Sequence, residues 1–420
     1  MKYRALFLLS LRSVGRNMRR SALTAAAMAL GLAVLIFSRA LADGGHEQWI
    51  DSAVRLGTGH VAIQAPDYLE TGRLEHRLDA QQVARVTRAL ADPALSDRIR
   101  TWAPRLTVTG LASSASSALP VRIEGVDPAR ERVFSTLPGQ LTEGRYLEPG
   151  DRLRAFIGSD MAKRLSLKVG DRFVLTAQTA SGDVEGQLMR VAGIFHTGIP
   201  ETDDGLVHVP IETVRKWLGT PGAATSIAVL LHSSWQTDDV VKVLRSELDG
   251  SRGIRVMGWR QASPELDSGV RIDNWGDYVF HIILFAIIAL AILNAIMMSV
   301  LGRQREFGIL QALGLTRVET GWVVMGEGLF LTAVSGLVGM VIGLVVTWGF
   351  FRHGIDFSSA SSSGWSASGG IINPVIVPIF RFSQIVLSVA SIVVIGTLAS
   401  LYPAVRASKL DVAEAMKFEQ

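Results

Sequence analysis

Four long apolar stretches organise the chain: Ala22 to Ala42, about Val279 to Leu301, about Val323 to Phe351, and Ile385 to Leu401. Each reaches or approaches the roughly 20 residues a helix needs to cross a hydrocarbon layer of about 30 Å. The third exceeds that length, so it must tilt or project from the bilayer. The pattern predicts an integral membrane α-helical protein with four transmembrane helices, over 21–42, 276–302, 322–351 and 384–404. Residues Pro264 to Tyr278 read as a helical lead, or stalk, into the second span.

Between the first two spans, residues 43–275 carry the mixed pattern of a folded polar domain. Residues 58–64 alternate like a half-buried strand, and further strand patterns cover Arg105–Leu111, Pro120–Gly125, Arg172–Thr176, Val184–Phe195, Ser226–Leu231 and Ile254–Met257. Asp79 is placed to cap an amphipathic helix over Ala80–Leu90, and a second helix is expected from about Gln236 to Leu248. Ser181-Gly182 supplies turn chemistry between two strands. An extracytoplasmic α+β domain of two lobes, inserted between helices 1 and 2, is expected. Ala112–Ala118 and Ser358–Gly370 read as flexible loops.

Charge then sets orientation, because Lys and Arg are retained on the cytoplasmic side of short flanks. Lys2, Arg4, Arg12, Arg16, Arg19 and Arg20 precede the first span; Arg303, Arg305 and Arg317 lie between the second and third. Arg406, Lys409 and Lys417 follow the fourth, whereas the loop 352–383 carries only Arg352 and Arg381 near its ends. Both termini are therefore expected in the cytoplasm, as an amphipathic helix over 1–20 and a tail over 405–420, with the large domain outside. Ala40-Leu41-Ala42 resembles a signal-peptide cleavage site, but the apolar run is longer than such peptides use, so a retained anchor is expected.

The same clustering accounts for the net charge of +4, which gives no reason to expect a nucleic-acid partner. There are no cysteines, which excludes disulfides, thiol redox chemistry and zinc-finger sites. None of the eight histidines forms an HExxH or similar metal-ligand spacing, and no GxSxG elbow occurs. No lysine follows a glycine, so a Walker A phosphate loop is absent and any ATP must be hydrolysed elsewhere. No catalytic residue is assigned.

Polar residues within the spans have structural readings. Arg39 can snorkel to the interface, and Asn294 is expected to hydrogen-bond between helices. Glu327 is expected to pair with Arg303, Arg305 or Arg317. Gly336, Gly339 and Gly343 mark a face where another helix approaches closely, either within this bundle or across a dimer.

The segment Leu301-Gly-Arg-Gln-Arg-Glu-Phe-Gly-Ile-Leu-Gln-Ala-Leu-Gly314 closely resembles the coupling helix of FtsX-like ABC permeases, R-x-R-E-x-G-I-L-x-A-L-G. Its residues Arg303, Arg305, Glu306, Phe307, Gly308, Leu310, Leu313 and Gly314 are, by that resemblance, the ATPase-coupling set. About twelve residues would make a rod of roughly 18 Å, within a cytoplasmic segment over 303–321. Leu11–Thr24 resembles the family's N-terminal amphipathic helix. Tyr402–Lys417 is similar to its tail, with Val412 and Met416 in place of the usual Pro and Leu.

The inserted domain resembles the MacB-like periplasmic core through Gly125-Val-Asp-Pro128, Leu141–Leu147, Ile157-Gly158, Leu165–Asp171, Val191–Gly198 and Gly205–Pro210. Together these are most similar to the lipoprotein-releasing (Lol-type) branch. The resemblance implies a bacterial inner-membrane permease paired with a second copy or paralogue. It would be driven by a separate cytoplasmic ATPase that holds the ATP and Mg, and would work by mechanotransmission on a lipoprotein or other hydrophobic substrate. A periplasmic carrier or adaptor would be the outer partner. Drug or peptide efflux, and regulation of a cell-wall hydrolase, are the alternative uses of this architecture.

Overall fold

A computed structural model describes residues 18–248, 253–356, 366–367, 370–371 and 375–409. It divides into two units, one of residues 18–45, 272–356 and 375–409, the other of residues 46–248, 253–271, 366–367 and 370–371. Helix α1 (Met18–Leu56) contributes to both and runs past Ala42, where the first span was expected to end. Its later residues have their own reason to be helical. Ile50 and Val54, one turn apart, are buried together against Trp259, Leu266 and Val270.

The inserted unit continues with β1 (Val61–Gln64), α2 (Ala80–Leu90), β2 (Ile99–Ser113), β3 (Ala118–Val126) and α3 (Pro128–Phe134). Next come β4 (Leu141–Gly144), β5 (Arg154–Gly158), α4 (Ser159–Arg164), β6 (Arg172–Gln178) and β7 (Val184–Phe195). It ends with α5 (Pro200–Gly205), β8 (Leu206–Pro210), α6 (Ile211–Trp217), β9 (Ser226–Leu231), α7 (Thr237–Glu247) and β10 (Arg255–Gly258).

One sheet holds all ten strands in the order β10-β1-β9-β2-β3-β8-β5-β7-β4, with β6 bonded to β2 and β7. A single sheet thus runs through the unit in which two lobes were expected. The cause is β2, whose 15 residues pair with β9 at one end and with β6 at the other. The apolar core still separates. One cluster includes Ile123, Phe173 and Val207, and another gathers Val61, Val86, Val229 and Leu244.

Local chemistry fixes the elements. The Asp79 carboxylate accepts from the Gln82 amide at 2.8 Å, and the Gln82 side chain accepts from the Asp79 amide at 2.9 Å, so α2 starts in a capping box. Gly182 takes φ of +93° in the β6–β7 turn, as its position predicted. The strand expected over 58–64 begins only at Val61. Gly59 has φ of +79° and lies where a Cβ would come within 2.7 Å of the Val229 backbone, so the chain turns there. The Ser/Ala-rich loop expected over 112–118 contracts to a turn, because β2 continues to Ser113 and β3 begins at Ala118.

In the membrane unit, α8 (Pro264–Leu301) is followed by α9 (Gln304–Ala312), α10 (Arg317–Phe351) and α11 (Phe382–Ser408). Helices α1, α8, α10 and α11 are long and apolar enough to cross a membrane. One apolar cluster joins them, with Leu32, Ile292, Leu331 and Ile392 among its members and Phe307 of α9 inserted into it.

Two boundaries differ from expectation. α10 starts at Arg317 rather than 322, because Thr316 and Glu319 form a capping box that nucleates the helix earlier. α11 continues through the buried Pro403 to Ser408. The expected N-terminal helix over 1–20, most of the tail after residue 409 and most of Ser358–Gly370 lie outside the described residues. In the loop 352–383, Ile355–Asp356 pairs with Val375–Ile376, and the Ile379 amide donates to the Ala40 carbonyl at 2.9 Å.

Candidate functional site

The segment that resembles a coupling helix forms a rod shorter than expected. α9 has nine residues, roughly 13 Å of helix, because Gly314 takes φ of +102° and ends it. Its first residues fold inward. Arg303, the N-cap residue, donates from Nε to Glu306 at 3.0 Å and from Nη1 to Glu327 at 3.0 Å. Its guanidinium carbon lies 5.1 Å from the centre of the Phe307 ring, within reach of a cation–π contact.

The sequence-predicted set therefore splits. Phe307 and Gly308 are buried and Leu310 is half-buried, so these three serve the bundle core. Arg305, Ile309, Leu313 and Gly314 are exposed, the Leu313 side chain to 80%. Val318 and Trp322 of α10 add exposed apolar surface. What α9 offers a neighbouring protein is thus an apolar patch beside one cation, Arg305.

Substitutions should divide the same way. Phe307→Ala removes a buried aromatic side chain and is expected to cost about 3–5 kcal/mol. Leu313→Ala should stay within about 0.5 kcal/mol. Thermal unfolding of the full chain in detergent measures both, and equal losses would contradict the inward placement of Phe307.

The glycine face belongs to this bundle. A Cβ on Gly339 would lie 2.5 Å from the Ala29 carbonyl oxygen, and one on Gly343 would lie 3.0 Å from the Ala33 Cα. Small residues on both helices let α1 and α10 touch backbone to backbone. Gly336 is buried, yet nothing lies within 4 Å of where its Cβ would be. Asn294 departs from expectation. It sits on the exposed face of α8, opposite the buried Ile288, Ile292, Ile296 and Val300, so it does not join helices within this chain.

The inserted unit holds a buried ionic group that sequence reading missed. Arg105 donates to Glu131 at 2.5 Å and to the Gly57 carbonyl, and lies 3.9 Å from Glu124. His208 lies 3.4 Å from Glu124 and 3.3 Å from the Tyr146 hydroxyl. Burial alone would push the Glu124 carboxyl up. Arg122, the His208 hydrogen bond and Arg105 together hold it well below the usual carboxylate range. Burial, with Glu131 nearby, pushes the Tyr146 hydroxyl well above its ordinary value.

No hydrolytic site emerges from these groups. Ser159, His196 and Asp203 do meet, but Ser159 Oγ and Asp203 Oδ2 both reach the same ring nitrogen, Nδ1, at 3.0 Å and 2.9 Å. A proton relay needs the two partners on opposite nitrogens. Asp203 instead braces its own loop, accepting from the amides of Thr197 and Gly198. Among the described residues no cluster of His, Asp and Glu could hold a metal ion.

One histidine has a pH consequence. His60 is buried, and its Nδ1 accepts the Leu231 amide at 3.1 Å. Burial lowers its pKa from 6.5, against the opposing pull of Asp51 and Glu47. The unfolded chain therefore binds the proton first as pH falls below about 6.5. Stability is full above that value and declines with acidification until the folded ring is also protonated. Unfolding midpoints between about pH 7.5 and 5.5 should fall, and His60→Gln should flatten part of that slope; an equal slope in the variant would contradict it.

A profile of the MacB-like periplasmic core domain matches residues 21–247, and one of the FtsX-like permease C-terminal region matches residues 278–412. The chain is 28% identical over 403 residues to the lipoprotein-releasing system transmembrane protein LolC of Xylella fastidiosa (strain 9a5c), covering 93% of this chain and 92% of that protein. It is 20% identical over 401 residues to the lipoprotein-releasing system transmembrane protein LolE of Haemophilus influenzae (strain ATCC 51907 / DSM 11121 / KW20 / Rd), covering 94% of this chain and 93% of that protein. Against the macrolide export ATP-binding/permease protein MacB of Bdellovibrio bacteriovorus (strain ATCC 15356 / DSM 50701 / NCIMB 9529 / HD100), identity is 20% over 425 residues, covering 97% of this chain and 60% of that protein.

Proposed function

The chain belongs to the FtsX-like ABC permease family with a MacB-like periplasmic core domain, and from that premise we propose that it extracts or exports lipoproteins, or another hydrophobic substrate, from the bacterial inner membrane. It acts as a non-catalytic subunit. A separate cytoplasmic ATPase, holding ATP and Mg, docks on the exposed face of α9, and a second permease copy or paralogue completes the assembly. Both termini and α9 face the cytoplasm, and the inserted unit faces the periplasm.

The observation that carries this reading is the near end-to-end similarity to proteins named for lipoprotein release. Chemistry supports the mode of action. The four spans carry few polar side chains, too few to line a water-filled path. A substrate handled at the outer leaflet needs no such path. Force delivered to α9 and used on the far side of the bilayer fits that arrangement.

Affinity purification of the full-length chain from membranes tests the reading. The expected result is co-purification of an ABC ATPase together with a periplasmic lipoprotein carrier, and ATP hydrolysis that rises when a diacylated or triacylated lipopeptide is added. Recovery of an adaptor protein would favour efflux, as the similarity to a macrolide exporter suggests. Recovery of a cell-wall hydrolase would favour the signalling use.

A further inference from the structure

The rod α9 is joined to its neighbours by backbone that should bend. Gly302 precedes it, and Gly314 with φ of +102° follows it. Both positions permit conformations that other residues resist. A rod hinged at both ends would absorb a push by pivoting, so a rigid link must come from side chains.

The membrane unit contains such a link. Glu327 of α10 is a buried carboxylate, 6% exposed at its side chain. One of its oxygens accepts from Ser299 Oγ of α8 at 3.1 Å, and the other accepts from Arg303 Nη1 at 3.0 Å. Arg303 is itself only 12% exposed and also grips Glu306. At the rod's other end, Gln311 donates to Thr320 Oγ1 of α10 at 3.2 Å. A single carboxylate thereby ties three helices across the hinge.

We propose that Glu327 is a positioning residue, a strut that locks α9 to α8 and α10 so that displacement of the rod moves both spans. The proposal rests on reading α9 as the ATPase-coupling helix. Arg303 then acts within the chain, through Glu327, and the contact with the ATPase is left to Arg305, Ile309 and Leu313. Charge explains why the link is stiff. An ion pair largely out of water is held by strong Coulomb attraction, and breaking it leaves an uncompensated charge.

The chain's lack of cysteines makes the test direct. Nitroxides are placed on Ala312→Cys at the end of α9, outside the proposed ATPase contact, and on Val346→Cys of α10, both exposed, in the full-length protein in lipid nanodiscs. Pulsed dipolar spectroscopy then reads their distance distribution. The parent should give one narrow distribution. Glu327→Ala should broaden it at least about twofold, Glu327→Gln should broaden it less, because its amide can keep one hydrogen bond, and Arg303→Met, which removes the same ion pair from its other side, should broaden it as Glu327→Ala does.

A narrow distribution in Glu327→Ala overturns the strut. So does a narrow distribution in Arg303→Met. If Glu327→Ala does not fold, the Glu327→Gln width decides: unchanged width overturns the proposal and broadening supports it. Adding the co-purified ATPase and ATP separates the two readings. Labels that stay still in the parent would sink the coupling function, while the widths without nucleotide would still decide the strut.

Discussion

Arg105→Met should destabilise the inserted unit by about 3–5 kcal/mol, because it strands the Glu131 carboxylate in a dry interior. Glu131 is fully buried, and Arg105 is its recorded ionic partner at 2.5 Å. The Gly57 carbonyl, which ends the turn after α1, would lose its donor as well. Replacing both partners is a different experiment. Arg105→Met with Glu131→Leu removes the two charges together and should recover most of the loss, since a buried pair and an apolar pair of similar volume are often close in energy. Hydrogen exchange of the full chain in detergent, read at β2 and α3, measures both. A double variant as weak as the single would show that the charges themselves are not the cause.

Gly339→Leu is the second large effect expected. Its Cβ alone would stand 2.5 Å from the Ala29 carbonyl oxygen, and that neighbour is backbone, which cannot rotate aside. Overpacking of this kind costs about 1–3 kcal/mol and occasionally more, and in a membrane bundle it removes the close contact that holds two helices together. The folded yield in detergent should drop severely. Gly336→Ala is the internal control. Open space surrounds its Cβ position, so it should fold like the parent. Equal loss in the two variants would mean that glycine is needed for reasons other than proximity.

How much of this could be read from the residues depends on how local each cause is. β7 and β9 match their sequence-derived limits, because composition, alternation or turn chemistry marks them within a few residues. β8 was missed as a strand. All five of its residues are buried, so it has no alternation to show. α3 and α6, each a short helix of seven residues, carry too few turns for periodicity to appear.

The candidate site shows the same division. That 303–314 is a charged, apolar rod could be read directly. Which of its side chains face inward could not, because Glu327, 24 residues along the chain, decides it. The glycine face had two readings until Ala29 and Ala33 supplied the opposing surface. The polarity of Asn294 argues for a partner between helices, yet the exposed face it occupies is set by the buried isoleucines on the other side of α8. Arg105 and Glu131 stand 26 residues apart, in a strand and a helix, with nothing in the intervening sequence to announce the pair.

The contacts of Gly339 with Ala29 and of Gly343 with Ala33 advance together, four residues on each side. Two helices that keep step in this manner are parallel. Whichever compartment receives the start of α1 must therefore also receive the start of α10, and with it the short rod before it. That parity follows from packing geometry alone, with no appeal to where the arginines fall. It ties the sidedness of the rod to that of residue 18, so that locating either one locates both.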